Sequence, residues 1–262
     1  MIDSKTLGRR IKYFRKRAGL SQMDLELAMN ASAGMISRIE SGKVNPSKET
    51  VRTIGRILEM NDKEVDYLIG PLSIPATQVE INLAINEIKD YMDQSATFAY
   101  LIDDRFRMLY VSKGFENVFK RLVPGYDSIS KNVIGNTMVG LIFDETLGVK
   151  KFLKTEFYDE MVYLQLARLK KQMEYMVDDK YYKQAKEVVS KYPGVYKIWK
   201  GIADVDINFN SLDAKRVEFN IYGIKTKLYF SREAVWKYPR FETIEYVPNN
   251  KFLKLVQKVI RS

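Results

Sequence analysis

The chain has 262 residues and a formal net charge of +10, and 46% of its residues are hydrophobic, enough for two modest cores in a soluble globular protein. It contains neither cysteine nor histidine, which excludes disulfides, thiolate metal sites, thiol nucleophiles, histidine-ligated haem and Ser-His-Asp catalysis. The basic balance points to polyanionic partners, nucleic acid first and anionic membrane surface second. No acid–base motif stands out, so the expectation is a protein that is not an enzyme and holds no metal or cofactor. The opening MIDSKTLGRR lacks the apolar stretch of a signal peptide. No run approaches the roughly 18 apolar residues of a membrane span, and the expected location is the cytoplasm.

Residues 4–18 carry a helical period, with Leu7, Ile11, Phe14 and Ala18 on one face and Arg9, Arg10, Lys12, Arg15, Lys16 and Arg17 on the others. Gly19 closes this helix. Ser21 caps a second, with Asp24 in its first turn where the helix dipole favours an anion. Leu25 and Met29 face inward, and Asn30 suits a left-handed turn. Ser32 is the expected cap of a third helix, with Ile36 and Ile39 inward and Gly42 at its end. Pro46 and Ser47 start a fourth helix, carrying Val51, Ile54 and Leu58. Asn61 with Glu64 opens a fifth, which stops at Gly70-Pro71. Five short helices with tight turns make an all-α domain over 1–70.

Residues 71–95 read as a linker helix. Ile81, Ile85, Ile88 and Met92 form a narrow apolar seam of coiled-coil type, suited either to its own domain or to a second chain. After Ser95 the texture changes. Residues 97–102 and 107–111 are β-rich runs around the turn Asp103-Asp104-Arg105-Phe106, followed by a helix at 114–122. The apolar run 138–143 fits either helix or strand. Residues 150–200 read as mainly helical, interrupted at Pro193-Gly194. Strands are expected at 215–222, 225–231 and 242–247, and a final helix at 250–261.

The run LSQMDLELAMNASAGMISRIESGKVNPS, Leu20 to Ser47, resembles the phage-repressor and Xre family of helix-turn-helix regulators in the full register of Ser21-Gln22, Leu25, Ser32, Ile36-Ser37, Ile39-Glu40, Gly42 and Pro46. The resemblance implies a third helix that enters the major groove of double-stranded DNA, in a homodimer that reads a pseudo-palindromic operator. Ser32, Ala33, Gly34, Ser37, Arg38 and Ser41 are then the candidate groove-facing residues, with Arg38 the candidate for a guanine contact or a phosphate contact. Gln22, Lys43 and Asn45 are candidate contacts to the phosphate backbone. Glu40 is expected to pair with a first-helix arginine, Arg15. Two departures stand out: Glu26 occupies a place where the family usually has alanine, and Gly34 lies inside the expected recognition helix, at a cost of about 1 kcal/mol relative to alanine.

TFAYLIDDRFRMLYVSKGFENVF resembles the start of a PAS domain, with the short helix beginning near Ser112. The succession of GNTMVGLIFDE, a long helical stretch, KYPGVYKIWKGIADVD and a strand pair resembles in order the PAS-like ligand-binding domain of MmyB-like regulators. The fold class implied is multidomain: the five-helix domain, then an α+β PAS-like domain with a helical insertion over 96–262. The family-level effector is an apolar small molecule such as a fatty acid. Tyr100, Tyr110, Phe115, Phe119, Leu141, Phe143, Trp199, Phe219 and Ile221 are candidate lining residues, and equally candidate core. A C-terminal domain that only dimerises or binds a protein partner stays open as the alternative.

Overall fold

The computed structural model describes residues 2–94, 98–122, 134–135, 137–143, 158–202, 207–209, 211, 215–221, 224–247 and 249–254. By its contacts the chain divides into two compact units, Met1–Ala76 with Tyr175–Asp179, and Thr77–Glu174 with Lys180–Ser262.

The first unit holds five helices: α1 (Ser4–Arg17), α2 (Gln22–Ala28), α3 (Met35–Glu40), α4 (Lys48–Ile57) and α5 (Asp62–Ile69), then a 3-10 turn at Pro71–Ser73. Local chemistry sets most of their ends. Asp3 accepts from the Thr6 amide at 2.9 Å and caps α1. Ser21 with Asp24, and Asn61 with Glu64, form reciprocal capping boxes at α2 and α5. Asn30 adopts the left-handed conformation expected of it, with φ 53°. Leu7, Ile11, Phe14, Leu25, Ile36, Ile39, Val51 and Ile54 are buried together in the core.

The second unit opens with α6 (Gln78–Gln94), so the helix expected as a linker belongs to the same unit as the sheet. The five strands are β1 (Phe98–Asp103), β2 (Met108–Val111), β3 (Arg216–Ile221), β4 (Ile224–Val235) and β5 (Tyr238–Val247), in one antiparallel sheet of order β2-β1-β5-β4-β3. Between β2 and β3 run α7 (Lys113–Leu122), α8 (Met138–Phe143), α9 (Tyr158–Met173), α10 (Lys180–Ser190) and α11 (Pro193–Gly201). The run 138–143 is thus a helix, and Pro193 sits in the first turn of a new helix, where its missing N–H costs nothing. Residues 250–254 are helical, and the rest of the expected final helix lies outside the described residues.

The turn joining β1 to β2 is held by one carboxylate. Asp103 accepts from the amides of Arg105 and Arg107, both at 3.0 Å, and from Arg107 Nε at 2.7 Å, while Phe106 takes a left-handed φ of 57°. Ser112 Oγ accepts from Phe115 N at 3.2 Å and starts α7 where the resemblance placed a helix. Ile81, Ala84 and Met92 of α6 are buried within the unit. Of the apolar seam, Ile81 and Met92 thus pack within the unit, while Ile85 and Ile88 are half-buried. Among the described residues no helix is long and apolar enough to cross a membrane.

Candidate nucleic-acid interface

Helix α3 has only six residues, too few to be stable alone. Its position depends on two carboxylates and one close approach. Glu26 of α2 is buried, and its carboxylate accepts from the amides of Gly34 at 3.1 Å and Ile36 at 2.8 Å. Those amides belong to the helix start, whose donors have no partner within the helix. Glu26, the residue that departs from the family, thus does the capping expected of Ser32. Gly34 does not lie inside the recognition helix: it is the residue before it, with φ 77°. Only glycine takes that conformation without cost.

At the other end, Glu40 is buried and accepts from Arg15 Nε at 2.6 Å, Arg15 Nη2 at 3.0 Å and Gln22 Nε2 at 2.7 Å. The bond to Glu40 raises the Arg15 pKa further above its ordinary value. The Arg15–Glu40 pair expected from sequence is present. It neutralises a carboxylate that would otherwise repel DNA, and it ties α3 to α1. Gln22, expected to reach toward phosphate, is tied to the same carboxylate here. Gly8 of α1 lies against the end of α3, where an added Cβ would come within 2.3 Å of the Ile39 carbonyl oxygen.

Ile36 and Ile39 are buried, and between them Ser37 and Arg38 face outward, with Ser41 exposed just beyond. Ser32, Ala33 and Gly34 are exposed before the helix, and Lys43 and Asn45 after it. The candidate DNA residues are thus brought to one short segment, with Gln22 half-buried beside it. The chemistry offered is a small-residue helix face that can approach base edges, one long guanidinium, and flanking donors suited to phosphate. Sequence reasoning missed Glu26 as a cap and Gly8 as a close approach. A carboxylate in a position where the family has alanine was the one available signal.

Of the candidate ligand residues in the second unit, Tyr100, Phe115 and Phe119 lie together, with Phe115 edge-on to Tyr100 at 6.1 Å. Tyr100 is buried on β1, and its hydroxyl accepts a hydrogen bond from Tyr246. Phe115 and Phe119 of α7 stack at 4.3 Å, with Phe98 against both and Phe252 edge-on to Phe98. Phe143 lies against Tyr192, and Trp199 against Tyr182. Tyr110 instead donates to Asp93 at 2.6 Å. The side chains of Leu141, Phe219 and Ile221 lie outside the described residues. An open cleft of about 750 Å³ near the β3–β4 edge is bounded by residues with polar or charged ends, Glu218, Thr226, Asn249 and three lysines among them.

Residues 6–68 match the family model described as a helix-turn-helix domain. No curated protein matches the chain. The N-terminal unit is therefore a helix-turn-helix domain, and it is followed by a five-stranded antiparallel sheet with helices.

Proposed function

We propose that the protein is a sequence-specific DNA-binding transcriptional regulator, an Xre-type homodimer on a pseudo-palindromic operator, and not an enzyme. The observation that carries this is the outward strip Ser37, Arg38 and Ser41 on a short helix fixed at one end by Glu26 and at the other by Glu40. A groove reader needs such rigidity, because a base contact fails if its backbone drifts. The test is selection of duplexes from a random library, followed by footprinting and light scattering. Two protected half-sites about one helical turn apart, bound by two chains, support the reading. Recovery of no preferred duplex, or one chain on one site, overturns it.

The second unit we read as PAS-like and as a sensor of an apolar small molecule with a carboxylate, fatty-acid-like in class. The tight β1–β2 turn, the helix beginning at Ser112 and the helical stretch before the last three strands support the PAS-like part. The ligand part is supported by Arg168 on α9. It is buried over the rings of Phe209 and Phe230. Burial, then the charge of Arg232, push its pKa down to about 10. An added carboxylate there would favour the charged guanidinium, as Glu242 already does. The stacking of Phe115 on Phe119 favours the alternative, a packed domain that serves dimerisation or a protein partner. Melting of the full chain with fatty acids of several lengths separates the two. A shift that Arg168→Met removes supports a ligand, and no shift at any length supports the alternative.

A further inference from the structure

The first unit includes five residues from far along the chain, Tyr175–Asp179, which lie between α9 and α10 of the second unit. They are built into the face formed by α1 and α5. The Asp178 carboxylate meets Arg10 Nε through both oxygens, at 3.0 and 3.1 Å, and also takes the Tyr67 hydroxyl. Arg10 Nη1 donates in turn to the carbonyls of Tyr67 at 2.7 Å and Ser73 at 2.9 Å. The Arg10 guanidinium lies 3.7 Å over the Tyr67 ring. Tyr175 packs edge-on to Tyr67 at 5.5 Å and beside Phe14 at 6.3 Å. Met176 is fully buried and Asp179 nearly so.

This is more than surface apposition. An aromatic ring, a thioether and a carboxylate fill a site whose own parts are two rings, a guanidinium and a hydroxyl. Arg10 has 7% of its side chain exposed, so removing the Asp178 carboxylate alone would leave a nearly buried charge without its counter-ion, an expensive state. The helix that receives the segment is also the helix that holds the recognition helix. Arg10 and Arg15 lie on α1, Arg15 binds Glu40, and Gly8 abuts Ile39.

We propose that the α1–α5 face is a docking site for a short aromatic–acidic segment, and that occupancy by Tyr175–Asp179 sets the DNA affinity of the helix-turn-helix. The docked state holds α1, and through it α3, in the DNA-competent arrangement, and the undocked state binds operator more weakly. Both ends of the segment continue into α9 and α10. The proposal rests on the DNA-binding reading. It adds a linkage: if docking strengthens DNA binding, DNA must strengthen docking by the same factor.

The chain has no cysteine, so Met176→Cys places a single thiol at the fully buried position of the segment. Its reaction with a maleimide reports undocking in the full-length protein, and glutathione gives the unprotected rate. The DNA probe is the tightest duplex recovered by selection with the wild-type chain. We expect strong protection of the thiol and faster labelling when Asp178→Asn is added. Asp178→Asn in the wild-type background should lower operator affinity about fivefold or more. Saturating operator should slow labelling, and a duplex of unrelated sequence at the same concentration should slow it less. Hydrogen exchange of the wild-type chain repeats the test without substitution, through protection of 176–179 with and without duplex. A thiol and amides as reactive as in a free peptide overturn docking. Protection that operator leaves unchanged, with Asp178→Asn binding as wild type, overturns the control of DNA affinity. If selection recovers no duplex, the DNA-binding reading fails, and control of DNA affinity fails with it; the protection measurements still decide docking.

Discussion

Glu26 Oε1 accepts the Ile36 amide at 2.8 Å, and its second oxygen accepts the Gly34 amide at 3.1 Å. The cap of the recognition helix thus comes from the neighbouring helix rather than from the residue just before it. A lost side-chain cap costs about 0.5–2 kcal/mol, and a charged acceptor lies toward the upper end. We expect Glu26→Ala, which installs the residue usual in the family, to destabilise the first unit by about 1–2 kcal/mol and to weaken operator binding. Glu26→Gln keeps one acceptor and should lose less. Chemical denaturation with duplex titration checks both, and a neutral Glu26→Ala would remove the capping role.

Gly34 gives a prediction whose sign depends on where the residue sits. In a helix interior, alanine would stabilise by about 1 kcal/mol. With φ at 77°, alanine must enter the left-handed region at a cost of about 1–2 kcal/mol. Nothing lies within 4 Å of an added Cβ, so crowding does not confuse the result. We expect Gly34→Ala to lower the melting temperature. A rise would put the residue back inside the helix.

Gly8→Ala acts by crowding instead. Its Cβ would meet the backbone oxygen of Ile39 at 2.3 Å and that of Glu40 at 2.7 Å. Neither is the end of a flexible chain, so α1 and α3 must separate. The cost expected of an overpacked site is about 1–3 kcal/mol, and operator affinity should fall by more than Glu26→Gln lowers it. An alanine variant with wild-type melting and wild-type binding would show that the two helices have room to part.

The five helices were legible because their ends are set by residues three apart: Ser21 with Asp24, Asn61 with Glu64. Glu26 was not, because its partners lie eight and ten residues away on another element. Strand β4 extends through Ser231–Val235 and β5 begins at Tyr238, stretches too polar to read as strand from hydropathy. Pro239 is tolerated because β1 pairs with β5 only from Phe241 to Tyr246. The α6 seam was legible as apolar, but spacing alone does not name the surface that buries it. Tyr175–Asp179 falls within the stretch 150–200 read as mainly helical, and only the Arg10 contact reveals its place.

Asp93 supplies a pH test within the second unit. Burial raises its pKa, but hydrogen bonds from Tyr110, Lys89 and the Lys113 amide outweigh that and hold it at about 2, against an ordinary 3.8. The folded form therefore favours the ionised carboxylate. Its contribution is complete above pH 3.8 and is lost as the pH falls through 2. We expect Asp93→Asn to melt lower than wild type near neutral pH, with the gap closing as the pH falls through that window. A gap independent of pH would mean that the contacts act through shape alone.

Arg38 and Gln22 separate specificity from affinity. Arg38 is exposed on the outer side of α3, where a guanidinium can reach the two acceptors of a guanine. Gln22 is bound to Glu40 at 2.7 Å, so its loss loosens the end of the recognition helix and removes a phosphate-side donor without touching a base. We expect Arg38→Ala to relax sequence preference at one position of each half-site, with discrimination falling by about 1–3 kcal/mol. We expect Gln22→Ala to weaken every duplex by a similar factor. Competition binding against a library randomised within one half-site measures both. A loss for Arg38→Ala that is equal across all sequences would make it a phosphate contact. Direct readout would then fall to the shorter side chains of Ser37 and Ser41, and discrimination would come largely from the shape and deformability of the duplex.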